Sequence, residues 1–161
     1  ISPLRYSRNL AKKTFGNKYI EFLIKANISD LFKRDTKLLY KRAREENFQV
    51  SVAIVDRFGG VQVLLRDQLA GPRTINIAIG KARTAAGFRL NTTDMISVTE
   101  NGQPAAGIRH LPGVVIVGGG VIIEAGGTLV GGIGVSGAPG GDMDDLCAFA
   151  GIDAIFEQLE F

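Results

Sequence analysis

The chain has 161 residues, of which 45% are hydrophobic and 22% charged, and 21 are glycines. This length allows one domain with a buried core and is too short for two, and the composition is that of a globular protein rather than a disordered segment. A single cysteine, Cys147, excludes a disulfide within the chain. No apolar stretch of about 18 residues runs without a charge or a glycine turn, so no membrane-spanning helix is predicted.

Charge is distributed unevenly along the chain. Residues 1–50 contain twelve Lys/Arg and five Asp/Glu, a net charge of +7, whereas residues 51–161 contain seven and eleven, a net charge of −4. We therefore predict a basic N-terminal arm, residues 1–30, followed by one domain, residues 31–161. Such an arm is typical of an organellar targeting segment, of a segment that binds nucleic acid or a protein assembly, and of a solvated tail. Because the sequence begins at Ile1 and not at Met, a preceding segment is expected, and the compartment stays open between cytoplasm and mitochondria.

The first elements in chain order are helical, and a hairpin follows. Apolar spacing predicts a short helix over residues 19–26 and a second helix from about Leu31 to about Asn47. The β-branched run Val50–Asp56 predicts a strand, and the next four residues predict a turn that joins it to Val61–Arg66. The chain is therefore expected to change from helix to antiparallel sheet at about residue 50.

A helix with two distinct sides is predicted after the hairpin. Thr74 is a candidate cap for a helix from Ile75 to about Phe88. Its first side permits close approach to a sheet and comprises Ile75, Ala78, Ile79, Ala82, Ala85 and Ala86. The second side carries Lys81 and Thr84 between Ile77 and Phe88, and polar residues among apolar neighbours predict a cleft rim or an oligomer contact.

The C-terminal half alternates β-branched runs with glycine turns. The runs Val114–Val117, Val121–Glu124 and Thr128–Ser136 predict a meander of three antiparallel strands. Asp142 and Asp145 then predict a start resembling a capping box for a last helix that runs from about residue 143 to about residue 160.

Between the middle helix and the meander, residues 89–111 predict a long loop with one short helical turn. Long loops in compact domains are often functional. This loop contains His110, the only histidine of the chain.

Together these elements predict an α+β fold, a profilin-like five-stranded antiparallel sheet flanked by helices. Val50–Asp56 and Thr128–Ser136 are the most apolar strands, so we expect them to pair at the centre of the sheet. This pairing would bring the middle helix and the glycine turn at residues 118–120 together as walls of a pocket.

Four segments of the sequence resemble the GlcG/HbpS family, which includes the C-terminal domain of PduO-type proteins. They are DRFGG, RDQLAGPRTINIAIGKARTAAGF, GGGVII and GGTLVGGIGVSGAPGGDMDDLCAFAGIDAI. The KA-x-TA residues that begin at Lys81 and the stretch Gly131–Gly137 are the most specific matches. The resemblance covers about Val50 to Ile155. It implies a profilin-like domain that forms homo-oligomers and binds haem or a corrinoid, with haem degradation in some members.

The candidate cofactor-binding site combines polar residues of the hairpin and middle helix with the glycine turn, which matches the family's GGVP turn with isoleucine in place of proline. Arg66 and Lys81 can pair with a carboxylate or propionate in a partly dry groove. In an alternative interpretation, Lys81 pairs at the surface with Asp67 or Glu100. The complete candidate set is Arg66, Asp67, Lys81, Thr84, His110, Gly119, Gly120 and Val121.

Haem iron requires an axial ligand, and the chain offers few. His110 is the best placed, although a lone histidine is more often a surface or packing residue. The other candidates are Cys147, Met95, Met143, Tyr6, Tyr19 and Tyr40. No metal site is predicted, because helix capping and the helix dipole explain the consecutive acids Asp142, Asp144 and Asp145.

Two functional hypotheses follow. The first is an oligomeric binding protein of the GlcG/HbpS type for haem, another tetrapyrrole or another small anionic ligand. The second is a non-catalytic accessory subunit of a larger, mitochondrial assembly, attached through the basic arm. Nucleic-acid binding by the arm is disfavoured, because no aromatic residues are interleaved with a basic face. Neither hypothesis assigns catalytic residues.

Overall fold

A computed structural model describes Ala43 and residues 45–155. The basic arm, the helix predicted over residues 19–26, the boundary predicted at residue 30 and most of the helix predicted from Leu31 lie outside the described residues. The last helix, predicted to reach about residue 160, instead ends at Asp153.

The described part begins with the end of a helix. Ala43 and Glu45 are helical, and Asn47 has a left-handed φ of 57°. The Phe48 N–H donates to the Ala43 carbonyl oxygen at 2.7 Å, which closes the helix end in the manner of a Schellman motif. The predicted helix end at Asn47 is confirmed.

One antiparallel sheet contains the four strands of the described chain. The central strands are β1 (Ser51–Asp56) and β4 (Thr128–Ser136), paired from Ser51 opposite Ser136 to Asp56 opposite Gly131. The outer strands are β2 (Val61–Arg66) and β3 (Gly120–Ala125), so the order is β2-β1-β4-β3. The predicted central pairing is confirmed, and all six residues of β1 are buried, as expected for a strand covered on both faces.

Three α-helices and one 3-10 helix complete the described fold. They are α1 (Thr74–Phe88), α2 (Thr92–Val98), the 3-10 helix (Ala106–His110) and α3 (Gly141–Asp153). Residues 89–111 therefore contain more helix than the single turn predicted. Arg89, with a left-handed φ of 55°, ends α1 and allows α2 to begin three residues later.

The helix α1 packs directly on the backbone of β4. A Cβ built on Gly134 would lie 2.0 Å from the Ala78 carbonyl oxygen, and one built on Gly132 would lie 2.6 Å from that of Ala82. These distances are far shorter than any real contact, so the glycines allow the close approach that the small-residue side of α1 predicted. Between α1 and the sheet, Ala53 and Val55 of β1 pack with Ala78, Ala82 and Ala86 of α1 in a small buried apolar cluster.

The predicted fifth strand, Val114–Val117, is wrong. The backbone of this segment lies on α1, where the Val115 N–H donates to Thr84 Oγ1 at 3.0 Å. The Val115 side chain fills the space above Gly80, since a Cβ there would be 2.6 Å from Val115 Cγ2. A β-branched run satisfies a strand and a helix-packed extended segment equally well, so its composition could not distinguish them.

Candidate functional site

Lys81 lies inside the protein and not at a cleft rim. The residue is 1% exposed, and its Nζ lies 2.7 Å from Asp144 Oδ2 of α3. The same Nζ donates to the Val135 carbonyl oxygen of β4 at 2.9 Å. The predicted surface pairing of Lys81 with Asp67 or Glu100 is therefore wrong, because the carboxylate partner comes from the last helix.

Asp144 is held by the same buried network. Its Oδ1 accepts the Ala138 N–H at 3.0 Å, while Oδ2 accepts from Lys81. Burial raises the pKa of Asp144 above its usual value, and the hydrogen bond and positive charge of Lys81 oppose that rise. Buried charges are tolerated when they are paired and hydrogen-bonded, so this pair ties α1, α3 and the end of β4 together.

The glycine turn closes over the ion pair. Gly119 has a φ of 109°, and a Cβ there would lie 2.6 Å from Asp144 Cβ and 2.9 Å from Lys81 Nζ. The Gly120 N–H donates to Thr92 Oγ1 at 2.9 Å. The predicted pocket walls thus come together, and at Gly119 and Gly120 they pack directly against each other. The buried Val121 follows immediately in β3.

The acidic start of α3 anchors this turn instead of capping its own helix. Gly140 is the cap residue and makes no side-chain cap bond. Asp145, predicted as part of a capping box, accepts the Gly119 N–H and the Thr93 hydroxyl group. The capping-box prediction for Asp142 and Asp145 is wrong, because tertiary partners take the carboxylate of Asp145.

The residue after the glycine turn and Val121 ties β3 to the start of α2. The Ile122 N–H donates to Asn91 Oδ1 at 3.0 Å. Proline has no N–H, so this bond requires a residue other than proline at position 122.

Arg66 and Asp67 make contacts at the other edge of the sheet. Both Nε and Nη2 of Arg66 donate to the Ala70 carbonyl oxygen, at 3.2 and 2.6 Å. Asp67 Oδ2 accepts the Val50 N–H at 3.2 Å. These contacts involve neither α1 nor the glycine turn, and they order the loop after β2.

A groove of about 570 Å³ lies between α1 and residues 112–115. Its lining residues are Asn76, Ile79, Gly80, Arg83, Thr84 and Phe88 of α1 and Pro112, Gly113, Val114 and Val115 of the opposite wall. Of the predicted site residues, only Thr84 lines it, and the exposed His110 lies two residues before Pro112.

Sequence reasoning missed this groove because one of its walls was predicted as a strand. A signal was present in Gly80, which lies inside α1. Glycine there costs roughly 1 kcal/mol of helix stability relative to alanine, and such a cost commonly marks close packing against another segment.

Few side chains of the described chain could ligate haem iron. Met95 and Cys147 are 1% and 2% exposed and belong to the interior, whereas Met143 is half-buried and His110 is exposed. The three tyrosines lie outside the described residues. Within residues 45–155, no three His, Cys, Asp or Glu side chains are grouped to hold a metal ion. None of the helices described is long and apolar enough to span a membrane.

The fold and the groove define a small α+β domain with a glycine-rich central strand and a ligand-sized depression against one helix. The chain belongs to the HbpS-like family of haem-degrading proteins, which matches residues 25–153. The resemblance that the sequence motifs indicated is therefore confirmed, and it extends further towards the N-terminus than Val50.

Solved structures share this fold. A double mutant of HbpS from Streptomyces reticuli is 33% identical, with a TM-score of 0.73 over 79% of this chain and 85% of that chain. PduOC in complex with haem is 34% identical, with a TM-score of 0.71 over 74% and 88%. A 15.0 kDa protein in the dhaT-dhaS intergenic region of Citrobacter freundii is 28% identical over 127 residues, which are 78% of this chain and 89% of the relative.

Proposed function

We propose that the protein binds haem, or another planar tetrapyrrole with acidic side groups, in the groove between α1 and residues 112–115. The groove itself is the observation that carries this proposal. Its volume of about 570 Å³ falls within the roughly 300–1,000 Å³ typical of small-molecule sites. Membership of the HbpS-like family and the relative solved with haem support the ligand class.

The walls of the groove suit an apolar macrocycle. Ile79, Val114 and Val115 are half-buried, and Phe88 is 39% exposed. A flat ligand would remove these surfaces from water, and an aromatic ring such as Phe88 gains further from offset stacking. The hydrophobic contribution to binding therefore comes from α1 and from the extended segment that packs on it.

His110 is the residue of the described chain that fits an axial ligand. It is exposed at the end of the 3-10 helix, and a single residue, Leu111, separates it from the groove wall at Pro112. Its Cα lies within about 7 Å of that wall, since an extended chain spans at most about 3.6 Å per residue. The neutral imidazole is a common ligand for iron. Haem, when bound, brings its own redox and ligand-exchange chemistry, and the chain binds and orients it.

The remaining predicted site residues act as framework in this proposal. A packed contact joins Lys81 to Gly119 and Gly120 of the glycine turn. This contact holds the chain that follows the groove wall at residues 112–115. Thr84 holds the middle of that segment through the Val115 N–H. Arg66 and Asp67 are assigned no ligand contact, since their described contacts order the loop after β2.

The test is a titration of the purified full chain with haemin, followed by the Soret band. We expect a saturable shift at one haemin per chain, lost or strongly altered in His110→Ala. Met143→Leu is the matched control, because Met143 is the other solvent-reachable donor within the described chain, and it should bind like the wild type. A wild-type protein without a stoichiometric Soret shift would contradict the proposal.

We also propose a homo-oligomer. Leu146 and Phe149, three residues apart on α3, are 46% and 44% exposed, and adjacent apolar surface of this kind is commonly covered by a second copy. Sedimentation of the same preparation gives the mass. Attachment to a larger assembly through residues 1–30 stays a prediction, which co-migration of the native protein with a large complex would support.

A further inference from the structure

We infer that Arg83, and neither Arg66 nor Lys81, recognises the carboxylate of the bound ligand, so that the groove selects apolar ligands with a carboxylate edge. This inference rests on the proposed function, because it concerns the ligand of that groove.

The two cations that the sequence singled out are already engaged. Lys81 is buried and paired with Asp144 at 2.7 Å. Arg66 directs both Nε and Nη2 at the single carbonyl oxygen of Ala70. Neither side chain lines the groove, so neither can present its charge to a ligand there without breaking an existing contact.

Arg83 differs from both in position and in hydrogen bonding. It is exposed and lines the groove on the same helix as Phe88. Its Nε donates to the Gly59 carbonyl oxygen at 2.9 Å. Within residues 45–155, its two terminal nitrogens donate to no acceptor, so they remain available to a ligand.

The contact with Gly59 orients the guanidinium group before any ligand arrives. Gly59 lies in the tight turn of the β1–β2 hairpin, with a φ of 81°. The Phe58 and Gly60 N–H groups both donate to Asp56 Oδ1, at 2.8 and 3.1 Å, which stiffens that turn. An arginine held through Nε offers its terminal nitrogens as a fixed fork, the geometry that pairs bidentately with a carboxylate. Less side-chain freedom is then lost on binding.

Groove and arginine together specify the ligand class. The walls contribute apolar contact, and the single unoccupied guanidinium fork adds one charge-assisted pair at the rim. A porphyrin dicarboxylic acid can make both the apolar contact and the charge-assisted pair, whereas its dimethyl ester can make only the apolar contact.

The experiment compares haemin with haemin dimethyl ester on the full chain. We expect the wild type to bind the diacid about 10-fold more tightly than the diester, the size of one hydrogen bond to a charged group. Arg83→Gln should lower diacid affinity by about the same factor and leave diester affinity unchanged. Arg83→Lys should recover only part of the loss, because lysine has no fork.

Arg66→Gln is the matched control and should change neither affinity. Two results would overturn the inference while the groove proposal stands. One is that Arg83→Gln lowers the affinity for both porphyrins equally, and the other is that Arg66→Gln selectively lowers the affinity for the diacid. Failure of the wild type to bind either porphyrin would overturn both. Thermal unfolding of each variant shows whether a loss of affinity reflects a loss of fold.

Discussion

Lys81 Nζ and Asp144 Oδ2 lie 2.7 Å apart although the two residues are 63 positions apart in the chain. Each side chain is almost completely buried, with 2% and 6% of its surface exposed. The pair joins α1, which forms one wall of the groove, to α3, which anchors the glycine turn through the neighbouring Asp145. The ion pair therefore connects the framework to the wall that we propose binds the ligand.

Removing the cation from this pair is expected to destabilise the fold strongly. Lys81→Met leaves the buried carboxylate of Asp144 without its partner, and the free energy of unfolding should fall by about 3–5 kcal/mol at neutral pH. The double variant Lys81→Met/Asp144→Leu should lose less than the single variant, since no charge is then left unpaired. Urea unfolding measures the free energy of unfolding of both variants. Asp142 is exposed, so the control variant Asp142→Asn should unfold with a free energy within about 0.5 kcal/mol of the wild type. A single variant as stable as this control would contradict the prediction.

The raised pKa of Asp144 has a definite consequence for pH dependence. Because the folded state holds this proton more tightly than the unfolded state, the contribution of Asp144 to stability is fully present below the usual value of 3.8. It is lost as the pH rises through the raised pKa. The ¹³C shift of the Asp144 carboxyl group should titrate with a midpoint above 3.8, with Asp144→Asn used to assign the signal. A midpoint at or below 3.8 would show that the charge of Lys81 outweighs desolvation.

Gly119 is expected to tolerate no side chain. Alanine there suffers from the left-handed φ of 109° and also from contacts of 2.6 Å with Asp144 Cβ and the Val135 carbonyl oxygen. Gly127 has a φ of 72°, and a Cβ there would meet nothing within 4 Å, so it shares only the backbone strain. Gly119→Ala should therefore be less stable than Gly127→Ala by about 1–3 kcal/mol, the usual cost of overpacking. Equal unfolding midpoints would show that the turn can move away from the ion pair.

Gly80 is expected to set the width of the groove. Gly80→Ala would push against Val115 Cγ2, which lies 2.6 Å from the new Cβ, and displace the wall. We expect weaker haemin binding in this variant and recovery in Gly80→Ala/Val115→Ala. Gly87→Ala is the control in the same helix, because a Cβ there meets nothing within 4 Å. It should stabilise α1 by about 0.5–1 kcal/mol and leave haemin affinity unchanged. Unchanged affinity in Gly80→Ala would place the ligand elsewhere.

Elements defined by local pattern were predicted closely. The alternation and turn residues of Val50–Asp56 and Val61–Arg66 placed β1 and β2 within one residue of their observed bounds. Helical spacing also placed the bounds of α1 within one residue, but the predicted cap is wrong, because Thr74 is the first helical residue and the cap residue Arg73 makes no side-chain bond. The pairing of β1 with β4 also followed from sequence, because the most apolar strands are those that both faces of a sheet must cover.

Contacts between distant segments were not predictable in the same way. Val114–Val117 has the composition of a strand, but it packs on α1 and not on a neighbouring strand. Gly80 leaves space for the Val115 side chain, and Thr84 accepts the Val115 N–H. The burial of Lys81 was missed for the same reason, since nothing in the spacing around Lys81 indicates a partner at Asp144. Arg83 was overlooked beside Lys81, although the two are separated by a single residue.

The sequence by itself determined the local elements, the central strand pair and the family, because these depend on periodicity, turn chemistry and motifs that each lie within a short stretch. Only the tertiary structure decided which cation is buried and which is exposed at the groove. That choice depends on what surrounds each side chain after α1 has packed on the glycines of β4, and a residue's surroundings are a property of the folded chain.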